Sequence, residues 1–272
     1  MKTIMTKYMN RRWWIQRVAP VLIIGWILSA ITASASAAEG VSTEAGPEGP
    51  AQTAFAPDTG PGPVIIVISG QSGPNSYQSY AADLAKLGYY SVLLTGKDIL
   101  NPELTGETNL KRAIDRAQRS PNAVKGRTAV IGFSLGGGGA LYNATPLSDL
   151  VSMVVAYYPY TKTWANKMGW FTKRFQVPIL VLAAQRDRYK ECCVIESMQA
   201  MESAAKQNGK QFELVVYPEA NHGFNLQTGA KGEPVSAYRP DDDRNAWHRT
   251  IEMLKQYHPL KGNKKDHLIH SP

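Results

Sequence analysis

Short apolar runs recur along the chain and alternate with segments in which apolar residues follow helical spacing. The run Val64 to Ile68 is apolar throughout, as in a parallel strand that is covered on both faces. Similar runs predict five further strands, at residues 90–94, 128–132, 153–158, 179–183 and 212–217. Helical spacing between them predicts an α/β fold, a mostly parallel sheet of about six strands with helices on both faces.

A serine lies at the point where the third of these runs changes into glycine. Residues 132–136 read Gly-Phe-Ser-Leu-Gly, and a helix is predicted from Leu135 to about Asn143. Gly-x-Ser-x-Gly between a strand and a helix is typical of a nucleophile elbow, a tight turn that exposes the serine hydroxyl above the sheet. The same motif occurs by chance in glycine-containing loops, so its interpretation depends on the residues that accompany Ser134.

An acid and a histidine follow two later strands in the order that this interpretation requires. Asp187 comes after the strand at 179–183, and His222 comes after the strand at 212–217. The chain order Ser134, Asp187, His222 is that of an α/β-hydrolase triad of nucleophile, orienting acid and general base. The alternatives are that Asp187 pairs with a neighbouring arginine and that His222 is a turn histidine.

Two backbone N–H groups are candidates for an oxyanion hole. Leu135 begins the helix after the elbow, where unpaired N–H groups and the helix dipole favour negative charge. Gln71 lies in the loop after the first strand, which is the usual source of a second donor.

The segment between the strands at 153–158 and 179–183 is rich in aromatic residues, with Tyr158, Trp164 and Trp170 as its candidate pocket residues. If this segment folds over the site, these side chains form an apolar pocket for the acyl or alcohol group. The alternative is a surface helix that places its aromatic side chains in the core.

The N-terminal residues predict export. A basic start precedes an apolar stretch from Val18 to Ile31, and alanines before Glu39 offer a cleavage site. We expect residues 1–38 to be a signal peptide and the protein to be exported, periplasmic or extracellular. An uncleaved N-terminal membrane anchor is the alternative.

The net charge of +8 arises mainly in this leader, because beyond residue 38 there remain 25 basic and 22 acidic residues. That balance gives no case for a nucleic-acid partner. Residues 39–62 are rich in Gly, Pro, Ala, Ser and Thr and are predicted to be a flexible linker. The catalytic domain is expected at 63–258, followed by a basic tail at 259–272.

The chain has two cysteines, Cys192 and Cys193, which are adjacent. They are either two thiols or a vicinal disulfide, since neighbouring cysteines bridge rarely. The usual ligand spacing of a metal site is missing, so no metal is expected.

Four motifs together resemble the dienelactone hydrolase family over about residues 63–257. They are residues 132–137, the spacing from Pro178 to Asp187, Tyr-Pro at 217–218 followed by His-Gly-Phe at 222–224, and Ala-Trp-His-Arg-Thr at 246–250. The resemblance implies hydrolysis of a small-molecule ester or lactone through an acyl-enzyme, with no metal or organic cofactor.

The chain departs from the namesake enzymes of that family at several positions. Ser134 stands where they use cysteine, and Gly70 stands where they carry glutamate. The arginines that bind an anionic lactone are missing, since Asn225 and Leu226 follow the histidine motif and the loop after residue 94 offers Lys97. These departures resemble the broader esterase members of the group and secreted polyester-degrading and lipase-like hydrolases.

The sequence therefore predicts an exported serine esterase. A peptidase or thioesterase on the same triad is the alternative within enzymes, because these residues do not distinguish ester from amide chemistry. A non-catalytic binding protein that kept the fold is the alternative from another class.

Overall fold

A computed structural model describes residues 40–260 of the chain. The expected signal peptide (1–38) and most of the expected basic tail (259–272) lie outside the described residues. Within the described part, no helix combines the length and the apolar character that crossing a membrane requires.

The core of the structure is an eight-stranded sheet with the order β1-β2-β4-β3-β5-β6-β7-β8. Strands β3 to β8 pair in parallel, and β1 and β2 are antiparallel to their neighbours. The strands are β1 Val41–Thr43, β2 Gln52–Phe55, β3 Gly62–Ile68, β4 Tyr90–Leu94, β5 Ala123–Phe133, β6 Val151–Tyr157, β7 Ile179–Ala184 and β8 Phe212–Tyr217.

The six strands predicted from the apolar runs are β3 to β8, and the α/β class is confirmed. Residues 39–62 were expected to form a flexible linker. This prediction is wrong for β1 and β2, which lie within that range and extend one edge of the sheet. Strand β2 runs antiparallel along β4, with Thr53 opposite Leu93, and its Phe55 is buried in the core. The segment carries few large apolar residues, so its pairing depends on the exposed edge of β4, which lies far away along the chain.

Helices cover both faces of the sheet, as predicted. Their bounds are α1 Gln78–Lys86, α2 Gly96–Ile99, α3 Gly106–Arg119, α4 Leu135–Gly139, α5 Met168–Lys173, α6 Ile195–Gln207 and α7 Pro240–Tyr257, and a π-helical turn at Ala140–Ala144 continues α4.

Two hydrophobic layers result from the alternation of side chains along the strands. In β3, Val64, Ile66 and Ile68 face one layer, with helices α3, α5 and α6, while Ile65 and Val67 face the other, with α1 and α7. Every residue of β3 and β7 is buried, which explains why these two strands are continuously apolar.

His258 lies just after α7 and is buried, with 6% of its surface exposed. From the sequence alone, a histidine at the end of the last helix or in the tail is expected to face solvent, and for His258 this expectation is wrong. Its Nδ1 lies 3.1 Å from Ser152 Oγ, and its ring stacks on Tyr89. Burial, and secondarily the nearby Arg127, lowers the pKa of His258 to about 4.

This histidine should make the fold sensitive to acid. The unfolded chain binds a proton at His258 below a pKa of about 6.5 and the folded chain only below about 4. Stability is therefore lost as the pH falls through that window, by up to about 3 kcal/mol. We expect His258→Asn to lose less stability than the wild type between pH 7 and pH 4.5 in thermal unfolding. Parallel pH curves, or the same effect in the exposed control His248→Asn, would contradict this.

Candidate active site

Ser134 lies in a sharp turn between β5 and α4, in a backbone conformation that side chains rarely adopt (φ 51°, ψ −115°). The turn depends on two glycines. A Cβ on Gly132 would overlap the carbonyl oxygen of Gly136, and a Cβ on Gly136 would overlap the carbonyls at the end of β3. The strand-turn-helix geometry predicted from the Gly-x-Ser-x-Gly motif is therefore present.

The structure brings Ser134, Asp187 and His222 together at the carboxyl ends of their strands. His222 Nε2 lies 2.9 Å from Ser134 Oγ, and His222 Nδ1 lies 2.6 Å from Asp187 Oδ2. An ionised carboxylate only accepts hydrogen bonds, so Nδ1 carries the proton and Nε2 is left as the acceptor. In this arrangement the imidazole can take a proton from the serine hydroxyl.

Asp187 is fully buried and accepts two hydrogen bonds. Besides His222, the backbone N–H of Tyr189 donates to its Oδ1 at 3.0 Å. The neighbouring arginines, which were the alternative partners of Asp187, form ion pairs with other acids. Arg186 pairs with Glu219, and Arg188 pairs with Glu196.

The two candidate oxyanion donors both lie in segments that border Ser134. Leu135 is the first residue of α4, and the first N–H groups of a helix have no partner within it. Gln71 follows Gly70, where a Cβ would come within 3.4 Å of the Ser134 Cβ. The Gln71 side chain is exposed, and its Oε1 accepts a hydrogen bond from Lys190 at 3.2 Å.

Of the three aromatic residues expected in the pocket, the structure places Tyr158 beside the histidine. Its ring meets that of His222 edge to face at 4.7 Å between centroids, and its hydroxyl donates to Asn225 Oδ1 at 2.6 Å. Complete burial raises the pKa of Tyr158 well above its ordinary value. Tyr158 therefore stays protonated and acts as a wall of the site.

The other two aromatic residues do not lie at the site, so their expected pocket role is wrong. Trp164 is buried in the hydrophobic layer on one face of the sheet, where it stacks on Phe171 at 4.4 Å. Trp170 is 49% exposed and faces Arg174 on the surface. Trp164 and Phe171 also stack on Tyr142, in the π-helical turn after α4, so both side chains belong to the hydrophobic layer.

Sequence reasoning missed Tyr189, whose ring stacks on His222 at 4.5 Å with the planes 13° apart. The imidazole is thus in contact with the rings of both Tyr189 and Tyr158. Lys190 and Glu191 follow with positive φ angles of 49° and 51°. The sequence held one signal for this residue. Tyr189 follows Asp187 by two positions, and a backbone N–H at that spacing can donate a hydrogen bond to the carboxylate.

Cys192 and Cys193 form a vicinal disulfide, one of the two states left open by the sequence. Both cysteines are buried, and their sulfur atoms lie close to His222. The segment 187–193, which we call the acid loop, therefore carries the carboxylate, the stacking tyrosine and the disulfide.

A separate cavity of about 420 Å³ is lined by residues of α1, α7 and the loop after β8. Asn225, the partner of the Tyr158 hydroxyl, lines it together with Tyr80, Asp243 and Trp247, whereas Ser134 and His222 do not. Partial burial raises the pKa of Asp243 to about 6. This cavity does not contact the hydroxyl of Ser134.

A parallel sheet with a serine at the turn after β5, an acid after β7 and a histidine after β8 defines the α/β-hydrolase class of fold. Residues 94–258, more than half of the chain, match the model of the dienelactone hydrolase family. The chain belongs to this family, and the resemblance predicted from its motifs is confirmed.

Individual relatives agree with this placement. A candidate carboxymethylenebutenolidase of Methylorubrum extorquens is 26% identical over an alignment 236 positions long, and this alignment covers 76% of this chain and 77% of that protein. Among solved structures, a candidate dienelactone hydrolase from Klebsiella pneumoniae superposes with a TM-score of 0.64 at 19% identity, covering 80% of this chain and all of the other. A dienelactone hydrolase-like promiscuous phosphotriesterase from metagenomic libraries gives 0.63 at 18% identity, covering 80% and 97%. At these identities the two structures show a shared fold.

The different positions of the two tryptophans can be tested by a matched pair of substitutions. Trp164→Ala should lower the free energy of unfolding by about 3–5 kcal/mol, because it empties a packed core position. Trp170→Ala should cost less than about 1 kcal/mol, because the side chain is half exposed. Urea unfolding of both variants measures the difference. Equal losses, or a larger loss for Trp170→Ala, would contradict the assignment.

Proposed function

We propose that this hydrolase-family protein is an exported serine esterase that cleaves carboxylic esters or lactones through an acyl-enzyme. The observation that carries the proposal is the continuous hydrogen-bonded path from Ser134 Oγ through His222 to the buried Asp187, at 2.9 and 2.6 Å. The strained turn at Ser134 and membership of the family support the same conclusion.

In the first step Ser134 Oγ attacks the ester carbonyl carbon while Nε2 of His222 takes the hydroxyl proton. A serine hydroxyl is a weak nucleophile at neutral pH, so this base is needed. The imidazolium that forms is stabilised by the Asp187 carboxylate, which is already oriented by the Tyr189 N–H. His222 then gives its proton to the leaving alcohol oxygen, and the carbon–oxygen bond breaks to leave the acyl group on Ser134.

Negative charge develops on the carbonyl oxygen during the attack. We assign its stabilisation to the backbone N–H groups of Leu135 and Gln71, which belong to the two segments that border Ser134. Each such donor contributes about 3–4 kcal/mol to lowering the barrier. In the second step a water molecule gives a proton to His222 and attacks the acyl carbon, which releases the acid and restores the Ser134 hydroxyl.

The walls of the site favour a substrate with an apolar part. Tyr158 and Tyr189 flank His222 with aromatic surface, and no arginine follows the histidine motif to bind an anionic lactone. We therefore propose simple esters or neutral lactones as substrates. The relatives named for carboxymethylenebutenolidase and phosphotriesterase activity suggest which further substrates to include in an assay.

The triad can be tested with a fluorophosphonate probe and p-nitrophenyl esters. Ser134→Ala should abolish labelling, and His222→Ala should lower ester turnover by about ten-thousand-fold or more. Ser72→Ala, which removes the neighbouring loop hydroxyl, should still be labelled, and His248→Ala on the exposed face of α7 should keep its turnover. Mass spectrometry of the labelled peptide identifies the modified serine.

The other possible outcomes separate the alternative functions. Labelling of Ser134 with turnover of p-nitroanilides or thioesters in preference to p-nitrophenyl esters would indicate a peptidase or thioesterase. A folded protein that the probe does not label would indicate a non-catalytic binding protein.

We also propose that the protein is exported, with the leader removed near residue 38. The Cys192–Cys193 disulfide supports this location, because disulfides persist in oxidising compartments. N-terminal sequencing of the protein recovered outside the cytoplasm should start near Ala38 or Glu39. An intact Met1 in the membrane fraction would instead favour the N-terminal anchor.

A further inference from the structure

Three side chains with metal-binding atoms meet at the acid loop. The two sulfur atoms of Cys192 and Cys193 and one ring nitrogen of His222 all lie within 4.8 Å of one another. Both cysteines are buried, with 7% and 2% of their surfaces exposed. The sequence could not show this group, because His222 reaches it from the loop after β8.

While the disulfide is closed, this group does not bind a metal strongly, because the thiolate is the cysteine form that serves as a ligand. Reduction changes that. A water-soluble trialkylphosphine and one water convert the disulfide into two thiols and a phosphine oxide, so the disulfide gains two electrons and two protons. Loss of the thiol protons then gives two adjacent soft ligands.

His222 supplies the third candidate ligand atom through one of its ring nitrogens. Its Nδ1 is held by the buried Asp187 at 2.6 Å, so Nε2 carries the lone pair. A carboxylate that orients a histidine in this way is a common arrangement behind histidine ligands of zinc. Nε2 is also the atom that faces the Ser134 hydroxyl.

The distances are close to those that zinc requires. With Zn–S of about 2.3 Å and Zn–N of about 2.0–2.1 Å, two ligand atoms on a tetrahedral ion are about 3.6 Å apart. The nitrogen and the sulfur atoms would need to approach one another by little more than 1 Å from a spacing of at most 4.8 Å, whereas the two bonded sulfur atoms would need to move apart. Opening of the disulfide frees the sulfur atoms for that movement.

We propose that Cys192, Cys193 and His222 form a latent site for a thiophilic divalent cation, which opens when the disulfide is reduced and blocks the histidine when it is filled. The consequence for activity rests on the proposed function, because a neutral imidazole has one lone pair, and a lone pair bound to the metal is not free to take the serine proton. Oxidation would close the site and leave His222 free.

Zinc binding can be measured without any assay of activity. The purified protein is reduced with the phosphine, freed from it by gel filtration under nitrogen, and titrated with Zn²⁺ against a chromogenic chelator. The reduced wild type should bind one zinc per chain and the oxidised wild type none. The double variant Cys192→Ser, Cys193→Ser should bind none. His222→Asn should weaken binding by about tenfold or more, since even groups that only orient a ligand contribute about 10–100-fold.

Ester hydrolysis measured on the same samples tests the consequence. Zinc should inhibit the reduced wild type, a chelator should restore its rate, and zinc should not change whatever rate the folded double serine variant has. The proposal is overturned if the reduced wild type binds no zinc, if the double serine variant binds or is inhibited equally, or if His222→Asn binds as tightly as the wild type. Stoichiometric binding by a protein that hydrolyses no ester would refute the proposed function and leave the metal site standing.

Discussion

The geometry of the site depends on the close approach of backbone at the turn that holds Ser134. Residues 132 and 136 lack a Cβ, so the start of α4 can lie against the carbonyls at the end of β3. The turn is anchored on its other side, because the Ser134 N–H donates to the Tyr157 carbonyl at the end of β6. The non-helical φ of Ser134 persists because three strands define its surroundings.

The acid and the histidine are held by a second set of backbone contacts, between the loops after β7 and β8. The Gln185 N–H donates to the Tyr217 carbonyl, and the Arg186 N–H donates to the Ala220 carbonyl. These bonds continue the parallel pairing of β7 and β8 past the ends of the strands. Asp187 and His222 are therefore brought together by the sheet itself, and each enters the site from a loop of limited freedom.

The acid loop combines several roles within a few residues. Asp187 orients the histidine, the backbone N–H of Tyr189 bonds that carboxylate, and the Tyr189 ring covers one face of the imidazole. Lys190 reaches across to the side chain of Gln71, and the disulfide closes the segment. A change in this loop is therefore transmitted to the histidine through direct contacts.

The sequence alone determined the α/β class, the six parallel strands and the order Ser134, Asp187, His222, because apolar periodicity and turn chemistry are local properties of the chain. Only the tertiary structure decided which distant segments meet. Strand β2 comes from a stretch that resembles a linker, but it pairs with the edge of β4. Trp164 lies in the core because it stacks on Phe171, and His258 is buried because it packs beside Tyr89. The proximity of His222 to the cysteine pair was also decided by the tertiary structure, since it requires two loops that are separated in sequence to lie side by side at one edge of the sheet.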